Sequence, residues 1–245
     1  MKLLEHEARK IFAEHGIPVP VGSVIRSPGE LATVMDTLGD RIVLKAQVEV
    51  GGRGKKGGVL VADRSDAHEL ASRLFSMEIG GIPVREVLAV EYLDIRHEYY
   101  LSISVDRSRK CALILFSDQG GVDIESLARD RPDALRRAAI PVLMDRVPPF
   151  MVRDLLSGAP AEIGDVINRL YSVFCRKDAL LAEINPLVMT PAGLYAADAK
   201  LVIDDNALRR QGIAQNRDLT EREREAEKHG FSYVELKGDI GVIGN

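Results

Sequence analysis

The order of apolar runs predicts an α+β fold, and three observations carry it. Residues 21 to 61 read as strand, helix, strand, glycine-rich loop, strand. A second β-rich tract covers 87 to 116, and two further strands at 180 to 188 and 194 to 203 face each other across a tight turn. Stretches of helical period lie between these tracts, so strands and helices are grouped rather than strictly alternating.

Residues 2 to 15 read as a helix with Leu4, Ala8, Ile11 and Phe12 on one side, stopped by Gly16 with Pro18 beyond. A strand over Val21 to Ile25 follows. Ser27-Pro28-Gly29-Glu30 then combines a capping serine, proline at the first helical position and a glutamate placed for a capping box, starting a helix that runs to Leu38. Ile42-Val43-Leu44 and Val59-Leu60-Val61 are the strands on either side of the glycine loop. Ser65 is placed to cap a helix burying Ala67, Leu70, Ala71 and Leu74, broken by Gly80-Gly81. Val87 to Val90 is a buried strand ending in Glu91-Tyr92-Leu93. Tyr99 to Val105 and Cys111 to Phe116 are strands joined by the polar turn Asp106 to Lys110. After the acidic, glycine-containing loop Ser117 to Glu125, residues 126 to 177 read as mostly helical, interrupted at Pro148-Pro149 and Gly158-Ala159-Pro160. Residues 204 to 230 are polar, with Thr220 and Glu223 offering a capping box. Phe231 to Leu236 resume β character, and Gly238 to Asn245 look like a glycine-rich βα turn without its helix.

The loop from Lys45 to Gly58 is the densest chemical signal. Five glycines fall within positions 51 to 58, and Lys45, Arg53, Lys55 and Lys56 surround them with positive charge. Glycine leaves backbone N–H groups open to a ligand, and successive N–H groups make an anion-binding concavity, so a polyphosphate is the natural guest. Gly52, Gly54 and Gly57 satisfy G-x-G-x-x-G, yet a strand rather than a helix follows, which excludes the dinucleotide fingerprint. Neither Lys55 nor Lys56 precedes Ser or Thr, which excludes a Walker loop. A mobile flap over phosphates remains, with a solvated basic hairpin as the bland alternative.

The second signal is the hairpin turned by Thr190-Pro191-Ala192-Gly193. With Pro191 and Ala192 as a two-residue loop, Asn185 lies opposite Asp198 and Glu183 opposite Lys200, on one face of the pair. A bulge at Gly193 would slip this register by one. One carboxylate and one amide oxygen suit Mg²⁺, which keeps several waters and shares itself with substrate phosphates. The competing reading is an ordinary polar face with a Glu183–Lys200 ion pair.

A chain of 245 residues with 46% hydrophobic content has ample material for a core. A net charge of −4, with 29% charged residues of both signs, argues against a general nucleic-acid binder. Cys111 and Cys175 lack metal-ligand spacing and read as inert free thiols in apolar company, in a reducing compartment. His6, His15, His68, His97 and His229 are dispersed without metal spacing. With no signal segment and no apolar run near the roughly 20 residues a bilayer requires, a cytoplasmic protein without membrane contact is expected.

The motifs together resemble the β subunits of succinate-CoA ligases (succinyl-CoA synthetases), specifically their N-terminal ATP-grasp region. The likeness runs through Gly-Ile-Pro-Val-Pro-Val-Gly at 16 to 22, the flap and Gly-Gly-Val-Asp-Ile-Glu at 120 to 125. It continues through Glu-Ile-Asn-Pro-Leu-Val at 183 to 188 and Asp-Asn-Ala-Leu-Arg-Arg-Gln at 205 to 211. The resemblance implies two α+β subdomains enclosing a nucleotide. About 20 to 95 would be the smaller, flap-bearing part, 1 to 19 with 96 to 237 the larger, metal-binding part, and 238 to 245 the start of a truncated CoA-ligase domain.

By the same resemblance Lys45 contacts nucleotide phosphates and the backbone of Gly52, Arg53 and Gly54 covers them. Glu91 and Asp94 sit at the hinge beside base and ribose, and Glu98 is a further nucleotide contact. Asn185 and Asp198 hold Mg²⁺, Glu183 faces the phosphorylated histidine of a partner α subunit, and Asn245 contacts substrate. The implied reaction converts succinate, CoA and ATP into succinyl-CoA, ADP and phosphate, with the α subunit supplying the CoA site. Malate or citrate as the acid, or a stand-alone nucleotide-binding module completed by another chain, are the alternatives. Pro20 favours ATP/ADP over GTP/GDP. Lys45→Ala is expected to weaken nucleotide binding about ten- to a hundredfold without unfolding the protein. Two departures stand out: Gln119 where the family carries glutamate, and Ala199 in place of a usual glycine.

Overall fold

The computed structural model describes residues 1–49, 54–141, 143–213, 221–231, 233 and 241–244. The chain divides into two compact units, Met1–Ala207 and Leu208–Asn245.

In the first unit, α1 (Glu5–Glu14) leads to β1 (Gly22–Ile25), α2 (Leu31–Leu38), β2 (Arg41–Ala46) and β3 (Val59–Asp63). Next come α3 (Ala67–Phe75), the two-residue strands β4 (Glu78–Ile79) and β5 (Ile82–Pro83), and β6 (Val87–Glu91). Then follow β7 (His97–Asp106), β8 (Cys111–Ser117), α4 (Ile124–Asp130), β9 (Arg136–Pro141), α5 (Pro149–Leu156) and α6 (Ile163–Arg176). The unit closes with β10 (Ala179–Thr190), β11 (Gly193–Ala196) and β12 (Lys200–Ile203). The second unit holds α7 (Leu208–Gln211) and α8 (Glu221–Lys228). Thr220 and most of the strand expected over 231 to 236 lie outside the described residues.

Two antiparallel sheets organise the first unit, as an α+β fold requires. The smaller has the order β1-β6-β2-β3, and its apolar face buries Ile25, Ile42, Leu44 and Ala89 against Leu31 and Met35 of α2 and Ala71 and Leu74 of α3. The larger has the order β11-β10-β7-β8-β9, with β12 also on β10. Ile163, Val166, Ile167, Leu170, Tyr171 and Phe174 of α6 recur at three- and four-residue spacing and are all buried, a stripe wide enough to cover a sheet face.

Four expectations need correction. Residues 1 to 3 are not helical: the Ile203 N–H donates to the Met1 carbonyl at 2.8 Å and the Leu3 N–H to the Leu201 carbonyl at 3.0 Å, so they satisfy the free edge of β12. The cap of α3 is Asp66, one residue after Ser65, and Gly80-Gly81 turns β4 into β5 after the helix has already ended at Phe75. Arg136 to Pro141 is a strand inside the tract read as helical. Its alanines and arginines favour helix locally, but the edge of β8 takes it as a partner from Phe116↔Arg136 to Cys111↔Pro141. Arg136 then donates to Asp118 Oδ2 at 2.7 Å and to the Leu156 carbonyl at 2.7 Å, contacts that local propensity cannot anticipate. Finally Cys175 is exposed, because it lies off the buried stripe of α6, whereas Cys111 is buried as expected.

Candidate functional site

The hairpin register is the one a two-residue loop demands. Thr190 pairs with Gly193, Leu187 with Ala196 and Glu183 with Lys200, so the pairing stays in step through the turn and no bulge intervenes at Gly193. Between these pairs the Ala197 N–H donates to the Pro186 carbonyl at 3.1 Å, which sets Asn185 opposite Asp198. Both line a cavity of about 790 Å³, together with Glu183, Lys200 and Lys45.

Within it the polar groups are already engaged. Asn185 Oδ1 accepts from the Gly121 N–H at 2.8 Å and its Nδ2 donates to the Val122 carbonyl at 3.1 Å, so one amide grips the loop from both sides. Asp198 Oδ1 accepts from the Ala199 N–H at 2.8 Å. Glu183 lies 3.6 Å from Lys200 Nζ, and the Tyr100 hydroxyl donates to its other oxygen at 3.4 Å. Burial first, and the Glu183 charge second, push the Tyr100 phenol well above its ordinary value. Both readings of this face therefore coexist: an ion pair and a set of oxygen donors open to a cavity.

Lys45 enters from the smaller sheet. It is 9% exposed, and its ammonium donates to Glu5 Oε1 at 2.8 Å and to the Ala197 carbonyl. Glu5 is only 3% exposed, which makes this a buried ion pair between α1 and β2. Removing Lys45 would take the ammonium away from a buried carboxylate, so Lys45→Ala is expected to cost stability as well as nucleotide affinity. Gly54 and Val59 complete the flap side of the cavity. After one 3₁₀ turn at Gly54–Lys56 the loop runs into β3, so a strand does follow the glycines. Gly52, Arg53 and Asn245 lie outside the described residues.

Glu91, Asp94 and Glu98 are not among the described residues that line the cavity. Glu91 Oε1 accepts from the Val21 N–H at 2.6 Å and ties β6 to the entry of β1. Asp94 is exposed and paired with Arg96 at 2.8 Å. Glu98 sits opposite Val188, with its carboxylate against Gly121, where an added Cβ would come within 2.2 Å of Oε2. Of the two departures, Gln119 accepts a hydrogen bond from Arg131, and Ala199 is buried.

Sequence reasoning missed Glu5, Arg9 and Tyr100. The buried side of α1 is Glu5, Ala8, Arg9 and Phe12, a stripe that includes two charges, whereas the partly exposed Leu4 and Ile11 were expected on it. Arg9 is 6% exposed and donates to the Pro20 carbonyl. Burial lowers its pKa, against the opposing pull of Glu5, Asp198 and Glu91. The signal available was the spacing of Glu5 and Arg9 from Ala8 and Phe12, which places them on the apolar side. Among the described residues no three His, Cys, Asp or Glu side chains form a metal cage, and no helix is long and apolar enough to cross a membrane.

Comparison with known proteins finds relatives along the whole chain. The ATP-grasp domain model matches residues 2–189. The GDP-forming succinate-CoA ligase subunit β of Thermus thermophilus is 43% identical over 257 residues, covering 100% of this chain and 68% of that protein. The ADP-forming succinate-CoA ligase subunit β of Methanocaldococcus jannaschii is 42% identical over 252 residues, again covering 100% and 68%. Among solved structures, the ATP citrate lyase of Methanothrix soehngenii, in complex with citrate and coenzyme A, superposes with a TM-score of 0.70 at 21% identity, over 93% of this chain and 59% of that one. A dinucleotide-forming acetyl-coenzyme A synthetase of Ca. Korarchaeum cryptofilum gives 0.67 at 20%, over 83% and 93%. The two structures share the fold, while the two sequences extend over the whole chain, and it is the latter that place it: the chain belongs to the ATP-grasp domain family and, within it, to the succinate-CoA ligase β subunits.

Proposed function

We propose that this chain supplies the nucleotide-binding part of an NDP-forming succinate-CoA ligase, with ATP/ADP as the nucleotide and Mg²⁺ as its cation. The observation that carries the reading is the convergence of Lys45 from one sheet and Glu183, Asn185 and Asp198 from the other on a single cavity that Gly54 of the glycine loop also lines. A cationic donor and oxygen donors lining one cavity are what a metal-bound polyphosphate requires. Lys45 binds a phosphate oxygen, and the backbone N–H groups at Gly52, Arg53 and Gly54 cover the phosphates. Asn185 and Asp198 would hold Mg²⁺; the small number of protein oxygens fits a cation that completes its shell with water and phosphate. When bound, the ion neutralises charge on the transferring phosphoryl group. Glu183 accepts a hydrogen bond from the histidine of the α subunit and orients it. Glu91, Asp94 and Glu98 act at the nucleotide's hinge side and Asn245 at the substrate, with residues 20–95 as the smaller subdomain and 1–19 together with 96–237 as the larger.

Relatives divide between ADP- and GDP-forming. Pro20 supports the adenine nucleotide here, and a cytoplasmic α subunit with its histidine and CoA site, together with a CoA-ligase domain following residue 238, completes the reaction. Calorimetric titration of ATP, ADP and GTP, with and without Mg²⁺, into this chain and Asp198→Ala tests the reading. Magnesium-dependent adenine-nucleotide binding that the variant loses is expected; binding by both proteins alike would overturn the assignment of Asp198.

A further inference from the structure

The N-terminal end of α1 places an acidic side chain where a phosphate site would ordinarily exclude one. Glu5 lines the same cavity as Lys45, is almost fully buried and stands 2.8 Å from the ammonium. A lysine ammonium has three N–H donors. Two are committed here, to Glu5 and to the Ala197 carbonyl, and the third has no partner among the described residues. The two acceptors come from different layers, α1 on one side and the link between β11 and β12 on the other, so together they fix the direction of the remaining N–H. The strand carrying Lys45 is held from the same helix. Gln47 Oε1 accepts from the His6 N–H at 3.1 Å, and Gln47 Nε2 donates to the Lys45 carbonyl at 3.0 Å and lies 3.5 Å from Glu5 Oε2.

We propose that Glu5 is a positioning residue for the nucleotide: it holds the Lys45 ammonium in one orientation at the cavity wall, leaving a single aimed donor for a phosphate oxygen. This rests on the reading of Lys45 as a phosphate contact. An unrestrained lysine would sample many rotamers and lose more entropy on binding, whereas an anchored one is pre-organised. Glu5 touches no substrate in this scheme and acts through Lys45 alone. A competing role is easily stated, namely that Glu5 withholds Lys45 from the ligand, and it predicts the opposite sign.

The test is a double-mutant cycle on the 245-residue chain, titrating Mg·ADP and, as a phosphate-free control, adenosine, with circular dichroism to verify folding. Glu5→Gln is expected to weaken Mg·ADP about tenfold, the scale of one charge-assisted hydrogen bond, and to leave adenosine unchanged. In a Lys45→Met background the same substitution should have no further effect on Mg·ADP. Unchanged or tighter Mg·ADP binding by Glu5→Gln, while Lys45→Met weakens it, overturns the proposal and leaves the nucleotide reading intact. Equal losses for ADP and adenosine, or a Glu5→Gln effect that persists without Lys45, also overturn it, since the residue would then act on the fold. Normal Mg·ADP affinity in Lys45→Met removes the nucleotide reading itself, and the proposal with it. Should Glu5→Gln fail to fold, Glu5→Asp keeps the charge, withdraws it from Nζ, and is read by the same criteria.

Discussion

Breaking the Glu5–Lys45 pair should damage the fold more than deleting it. In Lys45→Met the carboxylate of Glu5, whose side chain is 1% exposed, loses the ammonium that stands 2.8 Å from it. Removing one member of a buried ion pair costs about 3–5 kcal/mol, against a total stability of about 5–15 kcal/mol for a typical domain. At about 2–4 °C per kcal/mol for 150–250 residues, the melting temperature should fall by about 6–20 °C. In Glu5→Gln with Lys45→Met neither charge of the pair remains, and replacing such a pair by neutral groups is often close to neutral. The double variant should therefore recover most of the loss. Urea and thermal unfolding of the two single variants and the double, without nucleotide, measure this directly. If the double variant is as unstable as the sum of the singles, the two side chains are not coupled in the folded state and the buried pair is not what holds α1 to β2.

Three further outcomes follow from the same geometry. A Cβ at Gly120 would stand 2.4 Å from the Tyr99 carbonyl oxygen, so Gly120→Ala should lower stability by about 1–3 kcal/mol; an unchanged melting temperature would show that the 117–125 loop has room to shift. Asn185→Ala removes both grips on the loop, and hydrogen exchange at the Gly121 amide should accelerate even without Mg²⁺; unchanged protection would mean the loop is held elsewhere. Tyr100 is pushed upward chiefly by burial, so the folded state keeps its proton where the unfolded chain has lost it. Stability from this group is complete below about pH 10 and falls as pH rises beyond it, and urea midpoints at rising alkaline pH should decline less steeply in Tyr100→Phe than in the parent.

Local rules explain how much of this was legible. The Glu183–Lys200 register follows from two facts available in any sequence, a period of two along strands and a two-residue turn, so that one correct turn fixes every pair beyond it. The exclusion of a dinucleotide loop was equally local, because it needed only the strand character of Val59-Leu60-Val61. What escaped was set by partners far away in sequence. Arg136 to Pro141 pairs with β8 because that edge is open, and nothing within six residues records it. The spacing of Glu5 and Arg9 puts them on the apolar side of α1, but their counterparts, Lys45 at 40 residues' remove and Pro20 beyond the helix end, are invisible to periodicity. The family resemblance named Lys45 but carried no word of its buried partner.

The placement of α1 explains why those charges are buried at all. Lys45 stands on the smaller sheet and Glu183, Asn185 and Asp198 on the larger, so any change in the angle between the sheets alters the distance between a phosphate donor and the cation's oxygens. A site built that way needs a strut with one foot on each sheet. The segment preceding and opening α1 has both: Met1 and Leu3 bond to Ile203 and Leu201 of β12, while Lys2, His6 and Glu5 bond to Glu49, Gln47 and Lys45. Residues 45, 47 and 49 lie at the end of β2 and on the stem that leads from it towards the glycine loop. Apolar contacts alone would hold the strut without fixing its register, since hydrophobic burial is non-directional. Hydrogen bonds and an ion pair are directional, and they are found at the places where a small slip would misplace the lysine. The polar character of this seam is therefore the expected result of a site divided between two sheets, and its residues belong to the positioning of the ligand as much as to the stability of the fold.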